Sequence, residues 1–169
     1  MERFLLTICI TLFSVSTFAQ EDTISETTTY YFIRHAEKDR SNPSEKDASL
    51  TIEGHQRAQN WSLIFQHIPF DAVYSTNFNR TIETGQPTAS NNRLEIITYN
   101  VSDGYDEAFK KATTGKTVLV VGHSNTIPDF VNAVIGHEKY NDIEDTNNGN
   151  LYIVTISNGI TSDLVLTIN

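Results

Sequence analysis

The chain has 169 residues, and its 12 lysines and arginines against 21 aspartates and glutamates give a net charge of −9. This balance argues against a general nucleic-acid binder or a binder of anionic membranes, because both depend on lysine and arginine to neutralise phosphate. The single cysteine is Cys9, so a mature chain that lacks the first residues could form neither a disulfide nor a thiolate metal site. A small anionic substrate is compatible with the composition if the few cations converge.

The first residues have the pattern of a secretory signal peptide. Residues 4–13 are almost wholly apolar and follow Arg3, and Ala19 ends a short stretch with small side chains. The apolar run is shorter than the roughly 20 residues that a membrane-spanning helix needs. We therefore predict a cleaved signal peptide over residues 1–19, a secreted or periplasmic protein, and no stable membrane association after cleavage. The competing interpretation is an uncleaved N-terminal anchor.

After a polar, flexible lead-in over residues 20–28, strand-like and helix-like segments alternate along the chain. The pattern predicts strands at 29–33, 71–75, 94–99 and 117–121, and helices at 51–65, 79–84, 105–113 and from 125 or 126 to 136. We expect the short second helix to stop near Gly85 and Pro87. A terminal hairpin over 151–156 and 160–168 is predicted to turn at Ser157-Asn158-Gly159.

Such alternation predicts a single domain over residues 29–169, with an α/β fold in which a three-layer α/β/α sandwich surrounds a mainly parallel central sheet. In open sheets of this kind, ligands bind beyond the carboxyl ends of the strands. Arg34 and His35 follow the first predicted strand, Arg80 lies just after the second, and His123 follows the fourth. Two guanidiniums can hold a phosphate-like oxyanion, and two imidazoles can divide a nucleophilic and an electrostatic role.

Four motifs in sequence order extend this pattern beyond the cations and histidines. They are Arg34-His35-Ala36-Glu37, Leu50-Thr51-Ile52-Glu53-Gly54, Val73-Tyr74-Ser75-Thr76 with Arg80-Thr81, and Val121-Gly122-His123-Ser124. In these motifs the chain resembles the histidine phosphatase superfamily, in its phosphoglycerate-mutase-like branch. The resemblance covers about residues 28–156, nearly the whole of the predicted domain.

The resemblance implies a phosphomonoester hydrolase that acts on a small phosphorylated substrate. In this interpretation His35 is the nucleophile and forms a phosphohistidine, while Arg34, Arg80 and His123 complete the phosphate pocket. The resemblance implies neither a cofactor nor a metal ion, and we expect no nucleic-acid partner. Family members also use a carboxylate to protonate the leaving oxygen. Asp103 is the first candidate for this general acid, with Asp106 and Glu107 behind it, although an aspartate before Gly104 is also an ordinary turn residue.

Several alternatives stay open from the sequence. The same fold could bind a phosphorylated ligand without catalysis, or act as a phosphomutase, although export would separate a mutase from glycolytic intermediates. Gly122-His123-Ser124 is similar to the nucleophile elbow of a serine hydrolase, but Thr126 replaces the elbow's second glycine. Thr114-Gly115-Lys116-Thr117 is similar to the end of a phosphate-binding loop, but it precedes a strand where such a loop precedes a helix. The substrate and the oligomeric state are not predicted.

Overall fold

The computed structural model describes residues 26–168, so the predicted signal peptide and most of the lead-in lie outside the described residues. This part of the chain forms six strands and four helices. In chain order they are β1 (Thr28–Arg34), α1 (Ile52–Ile64), β2 (Ala72–Thr76), α2 (Asn79–Asn91), β3 (Ile96–Tyr99), α3 (Glu107–Thr113), β4 (Thr117–Gly122), α4 (Thr126–Ile135), β5 (Asn150–Ser157) and β6 (Ile160–Thr167). No helix among residues 26–168 has the length and apolar character needed to cross a membrane.

The six strands form one sheet in the order β3-β2-β4-β1-β5-β6. The four strands from β3 to β1 run parallel, whereas β5 pairs antiparallel with β1 and β6 pairs antiparallel with β5. The carboxyl ends of β1, β2, β3 and β4 therefore meet at one edge of the sheet. This edge is where the sequence predicts the site.

Helices cover both faces of the sheet, because residues along each strand alternate between the faces. On β1, Phe32 packs with Phe109 of α3 and Phe130 of α4. The next residue, Ile33, belongs to the opposite cluster, which contains Trp61 of α1. The prediction of a single-domain, three-layer α/β/α sandwich around a mainly parallel sheet is confirmed.

The second helix differs most from its prediction. It runs from Asn79 to Asn91 and contains both Gly85 and Pro87, which we expected to end it. A Cβ atom on Gly85 would lie 3.3 Å from Val121 Cγ2 and 3.4 Å from Val73 Cγ1, so the missing side chain lets the helix approach the sheet closely. Burial against the sheet outweighs the loss of one backbone hydrogen bond at the proline.

The other boundaries shift by one to two residues. Arg93 has a positive φ of 58° and closes the turn after α2, so β3 begins at Ile96 and not at residue 94. α3 begins at Glu107, because Asp106 caps it by accepting a hydrogen bond from the backbone N–H of Phe109. The terminal hairpin is present, with Asn158 and Gly159 both at positive φ, as a two-residue turn requires.

Candidate active site

The two histidines lie together because their strands are neighbours in register. Arg34 of β1 is the partner of Gly122 of β4, and each histidine is the next residue along its strand. The backbone N–H of His35 donates to the carbonyl of Gly122 at 2.9 Å. The ring centroids of His35 and His123 are 5.5 Å apart. The parallel pairing thus brings together two residues that are distant in the sequence.

The imidazole of His35 is held with one nitrogen free. The side chain is 5% exposed, and Nδ1 lies 2.7 Å from the carbonyl oxygen of Ala36. A carbonyl only accepts, so Nδ1 carries the proton and Nε2 carries the lone pair. Burial lowers the pKa of His35 from 6.5 to about 3, and the charges of Arg34 and Arg80 act in the same direction, against the hydrogen bond to Ala36. His35 is therefore neutral at pH 7, as a nucleophile must be.

Arg34 is nearly fully buried, and a short downstream segment takes most of its donors. Its Nη1 donates to the carbonyls of Glu144, Asp145 and Asn147 at 2.9, 3.1 and 3.0 Å. Its Nη2 donates to Oδ1 of Asp145 at 2.9 Å, and the same oxygen accepts from Arg40 at 2.8 Å. Hydrogen bonds from Arg40 and Arg34 lower the pKa of Asp145. The Nε of Arg34 is buried without a hydrogen-bond partner.

Arg80, near the start of α2, has more donors without a hydrogen-bond partner than Arg34 has. Its Cζ lies 4.4 Å from the centroid of the Phe78 ring, and its Nη2 lies 3.5 Å from Nδ1 of His123. The nearest carboxylate is Asp47, whose Oδ1 is 4.0 Å from Nη1. Both Nε and Nη1 are buried without a hydrogen bond. Burial lowers the pKa of Arg80, while the charge of Asp47 raises it.

His123 is surrounded by positive charge. Burial lowers its pKa from 6.5 to about 4, and the charges of Arg80, Lys38 and Arg34 lower it further. The ring of Phe78 stands at an edge-on angle with its centroid 5.2 Å away. Like His35, this histidine is neutral at pH 7.

These atoms are suited to bind an anion. Three guanidinium nitrogens, Nε of Arg34 and Nε and Nη1 of Arg80, are buried without a hydrogen-bond partner, and both imidazoles are neutral. A buried donor without a partner costs about 1–3 kcal/mol, and more when it is charged. An oxyanion with several acceptor oxygens would supply partners, and charge-assisted bonds to it are strong. The structure therefore brings together all four predicted pocket residues, Arg34, His35, Arg80 and His123.

The predicted general acid does not join them. Asp103 lies in an exposed loop, where its carboxylate accepts hydrogen bonds from Asn100 and Ser102, both at 3.1 Å. Of the two aspartate and glutamate residues behind it, Asp106 caps α3 and Glu107 pairs with Lys110. The loop after β3 thus turns its carboxylates to solvent or to its own helix.

Several residues of the site were not expected from the sequence. Asn148 is buried and donates to the carbonyl of His35 at 2.8 Å, and the backbone N–H of Ala36 donates to Thr84 at 2.9 Å. Asp145 and Lys38 add charge beside the pocket, and Thr76 contacts His123. Lys38 and Thr76 had a local signal, since Lys38 directly follows the first motif and Thr76 ends the strand part of the third. The others depend on contacts between distant parts of the chain.

The geometry does not support a serine nucleophile or a metal site. Among residues 26–168, no hydrogen bond joins the Ser124 hydroxyl to a histidine or a carboxylate, as a serine nucleophile requires. The described residues contain no group of three or more histidine, aspartate or glutamate side chains placed to hold a metal ion. The three remaining histidines, His55, His67 and His137, are exposed.

A comparison with protein families finds one family model that matches part of this chain. The family model of the histidine phosphatase superfamily (branch 1) matches residues 30–103, which include Arg34, His35 and Arg80 and end before His123. The resemblance noted in the sequence is thereby confirmed. No match was found among curated proteins.

Solved structures of phosphatases and of a mutase share the fold. Phosphoserine phosphatase from Entamoeba histolytica, solved in complex with 3-phosphoglyceric acid, superposes with a TM-score of 0.62 at 17% identity, covering 84% of this chain and 98% of that one. Phosphoglycerate mutase from Bacillus anthracis str. Sterne gives 0.61 at 15% identity, with 85% and 93% covered. The protein histidine phosphatase SixA, complexed with tungstate, gives 0.62 at 15% identity, with 82% and 96% covered. At these identities the likeness establishes the fold.

Proposed function

Because residues 30–103 match the histidine phosphatase superfamily, we propose that this protein is a phosphomonoester hydrolase that works through a phosphohistidine on His35. One observation carries the proposal. The unpaired donors of Arg34 and Arg80 are buried beside a neutral histidine whose Nε2 lone pair is free. A pocket of this kind matches a phosphoryl group in charge, and it supplies a nucleophile next to the bound phosphorus.

The geometry supports a two-step transfer. In the first step, Nε2 of His35 forms a bond to phosphorus while the bond from phosphorus to the leaving oxygen breaks. Arg34 and Arg80 stabilise the charge on the three phosphoryl oxygens, which is the main catalytic demand of phosphoryl transfer. In the second step, water attacks the phosphohistidine and releases inorganic phosphate. The fixed Nδ1–H bond to Ala36 keeps the ring in one tautomer throughout.

The structural relatives agree with this substrate class. SixA was solved with tungstate, which is an oxyanion, and the Entamoeba histolytica phosphatase with 3-phosphoglyceric acid. Their names include phosphatases and a mutase that act on different phosphorylated molecules. We therefore propose the class, a small phosphorylated substrate, and leave the alcohol or amine that carries the phosphate to experiment.

One observation favours a second candidate, a module that binds a phosphorylated ligand without turning it over. Among the described residues, the carboxylates that pair with the two pocket arginines are Asp145, at Arg34, and Asp47, at Arg80. Neither is free to act as a proton donor, so a ligand with a poor leaving group could stay bound and intact. The two candidates differ in what happens to the phosphorus–oxygen bond.

Purified protein mixed with p-nitrophenyl phosphate separates them. We expect release of p-nitrophenol and inorganic phosphate in equal amounts, in the presence of a metal chelator, and no release by His35→Ala. His55→Ala, which changes an exposed histidine of α1, is the matched control and should keep full activity. Binding of phosphate without release of p-nitrophenol by the wild type would favour the binding module. Phosphate transfer to a second alcohol in place of water would favour a mutase.

Export to the periplasm or the cell exterior is also a proposal, and it rests on residues 1–19 alone. N-terminal sequencing of the protein recovered from its native host tests it. A mature chain that begins at Gln20 supports cleavage, and a chain that retains residues 1–19 contradicts it.

A further inference from the structure

A chain of hydroxyl groups determines which nitrogen of His123 carries the proton. Oγ1 of Thr81 lies 2.8 Å from the carbonyl of Thr76 and 2.9 Å from that of Phe78, so its single proton is donated there. Oγ1 of Thr76 therefore donates its own proton to Oγ1 of Thr81, 2.9 Å away. The remaining contact, from Thr76 Oγ1 to Nε2 of His123 at 3.0 Å, must be donated by the imidazole.

The contact of the second ring nitrogen, Nδ1 of His123, independently places the proton on Nε2. Nδ1 of His123 lies 3.5 Å from Nη2 of Arg80, and a guanidinium can only donate. Nδ1 is therefore the unprotonated nitrogen. Both neighbours require a neutral ring with its proton on Nε2 and a lone pair on Nδ1.

This tautomer has a consequence for a bound phosphate. Nε2–H points to Thr76 and away from Arg80, so Nδ1 is the nitrogen on the side of the unpaired donors. The three phosphoryl oxygens of a phosphomonoester dianion carry only lone pairs, and an oxygen that takes the place of Nη2 of Arg80 at Nδ1 would meet another lone pair there. One proton shared between Nδ1 and a phosphate oxygen would turn this repulsion into a charge-assisted hydrogen bond.

We propose that the hydroxyl pair of Thr76 and Thr81 is a positioning element that keeps the proton of His123 on Nε2, so that Nδ1 takes up a proton when a phosphate group binds and returns it to the leaving oxygen. This inference rests on the proposed function. It assigns to His123 the proton donation for which the sequence suggested Asp103.

Burial and the charged groups around His123 explain why this uptake awaits the ligand. Burial is the largest cause of the lowered pKa of the free imidazole, and the cations Arg80 on α2, Lys38 in the loop after β1 and Arg34 on β1 lower it further. His35 is neutral, and Oδ1 of Asp47 lies 4.0 Å from Nη1 of Arg80. The hydroxyl of Tyr99 on β3, close to Gly122, stays protonated because burial raises its pKa. A phosphate dianion would bring two negative charges close to these cations, and its charge would raise the pKa of His123.

His123 binds one solvent proton on Nδ1 as the substrate dianion enters. Nε2 of His35 then forms its bond to phosphorus, the phosphorus–oxygen bond breaks, and the leaving oxygen takes the proton from Nδ1. The products are the free alcohol and the phosphohistidine, and His123 is neutral again with Nε2–H still bonded to Thr76.

Titration calorimetry with phenylphosphonate, whose dianion has no O–H group and whose phosphorus–carbon bond is not hydrolysed, tests the proposal without catalysis. At pH 8, where this phosphonate is mainly the dianion, binding heats in two buffers of different ionisation enthalpy give the number of protons taken up. We expect about one proton per phosphonate in the wild type, by linkage to His123. Thr76→Val removes the acceptor of Nε2–H and should reduce this number, whereas Thr76→Ser should restore it. Thr88→Val is the matched control, because Thr88 is a buried residue of α2 whose hydroxyl has no hydrogen-bond partner.

Nitrogen NMR of the histidine side chains keeps the test independent of the variants' stability. In the free wild type, the spectrum should show the Nε2–H tautomer at His123, and phenylphosphonate should convert this ring to the doubly protonated form. Phosphonate binding without proton uptake, or an Nδ1–H tautomer in the free protein, would overturn the inference and leave the proposed function standing. Failure of the wild type to bind either phenylphosphonate or inorganic phosphate would contradict the proposed function itself.

Discussion

Nη2 of Arg34 lies 2.9 Å from Oδ1 of Asp145, although 111 positions separate these two residues in the chain. Together with the three backbone carbonyls that Nη1 contacts, this ion pair ties the end of β1 to residues 144–147. Arg34 is thus both a structural anchor and a pocket residue. Its Nε is the donor that stays unpaired for a ligand.

Arg80→Lys should impair catalysis strongly, because the ammonium of lysine keeps the charge and loses the planar fork of donors. Nε and Nη1 of Arg80 are the two buried unpaired donors on the α2 side of the pocket. Loss of one such donor typically lowers kcat by about 10²–10³-fold. Steady-state kinetics with p-nitrophenyl phosphate measure the effect. Arg93→Lys, at the exposed turn after α2, is the matched control and should leave kcat unchanged, whereas an active Arg80→Lys enzyme would show that these donors do not bind the transition state.

Asp103→Asn should leave kcat and KM unchanged, even for an alkyl phosphate with a poor leaving group. The carboxylate is exposed and hydrogen-bonds within its own loop, to Asn100 and Ser102. A general acid typically contributes about 10²–10⁴-fold to the rate. A loss of that size, seen with the alkyl phosphate and not with p-nitrophenyl phosphate, would restore Asp103 as the proton donor.

The sequence predicts the parts of this site that follow from local pattern. Alternating strands and helices place Arg34, His35 and His123 at strand ends, and parallel pairing of buried strands must bring those ends to one edge. The extent of α2 was not predictable in this way. Its Pro87 is unfavourable by intrinsic propensity, and only packing against the sheet explains why the helix continues.

Side chains that support the site were harder to predict, because they act across long separations. Asn148 holds the carbonyl of His35 from 113 positions away, and no feature of its neighbours in the sequence singles it out. Asp103 stays a prediction of the sequence for the general acid. Its place after β3 fits that role, and its side chain accepts hydrogen bonds within its own loop, as aspartates in turns do.

Gly54→Ala should destabilise the protein, although alanine is favoured over glycine in a helix by about 0.5–1 kcal/mol. A Cβ atom at this position would lie within van der Waals overlap of the Glu37 carbonyl oxygen, which accepts the backbone N–H of Thr51 at 2.9 Å. The clash is with backbone, so the segment that follows His35 must move, at a cost of about 1–3 kcal/mol. Urea unfolding measures the change. A variant more stable than the wild type would show that the loop yields without strain.

The free energy of unfolding should fall as the pH drops from 6.5 towards 4. The folded pKa values of His35 and His123 are lowered to about 3 and about 4, from 6.5 for an unperturbed histidine. Between those values the unfolded chain binds more protons than the folded one, so acid favours unfolding, by up to about 1.4 kcal/mol per pH unit for each histidine. Urea titrations at several pH values should show a shallower slope for His35→Gln than for the wild type. Equal slopes would mean that His35 is protonated as easily in the folded protein as in the unfolded chain.

Trapping the covalent intermediate is the most direct test of a phosphohistidine on His35. The protein is mixed with a fast-reacting phosphomonoester, quenched in alkali to preserve phosphohistidine, digested, and analysed by mass spectrometry. A phosphohistidine mechanism gives one added phosphoryl group on the peptide that contains His35, and none in His35→Ala or in protein quenched before substrate is added. Hydrolysis of the substrate with no phosphoryl group on His35, or with the group on Ser124 or His123, would contradict it.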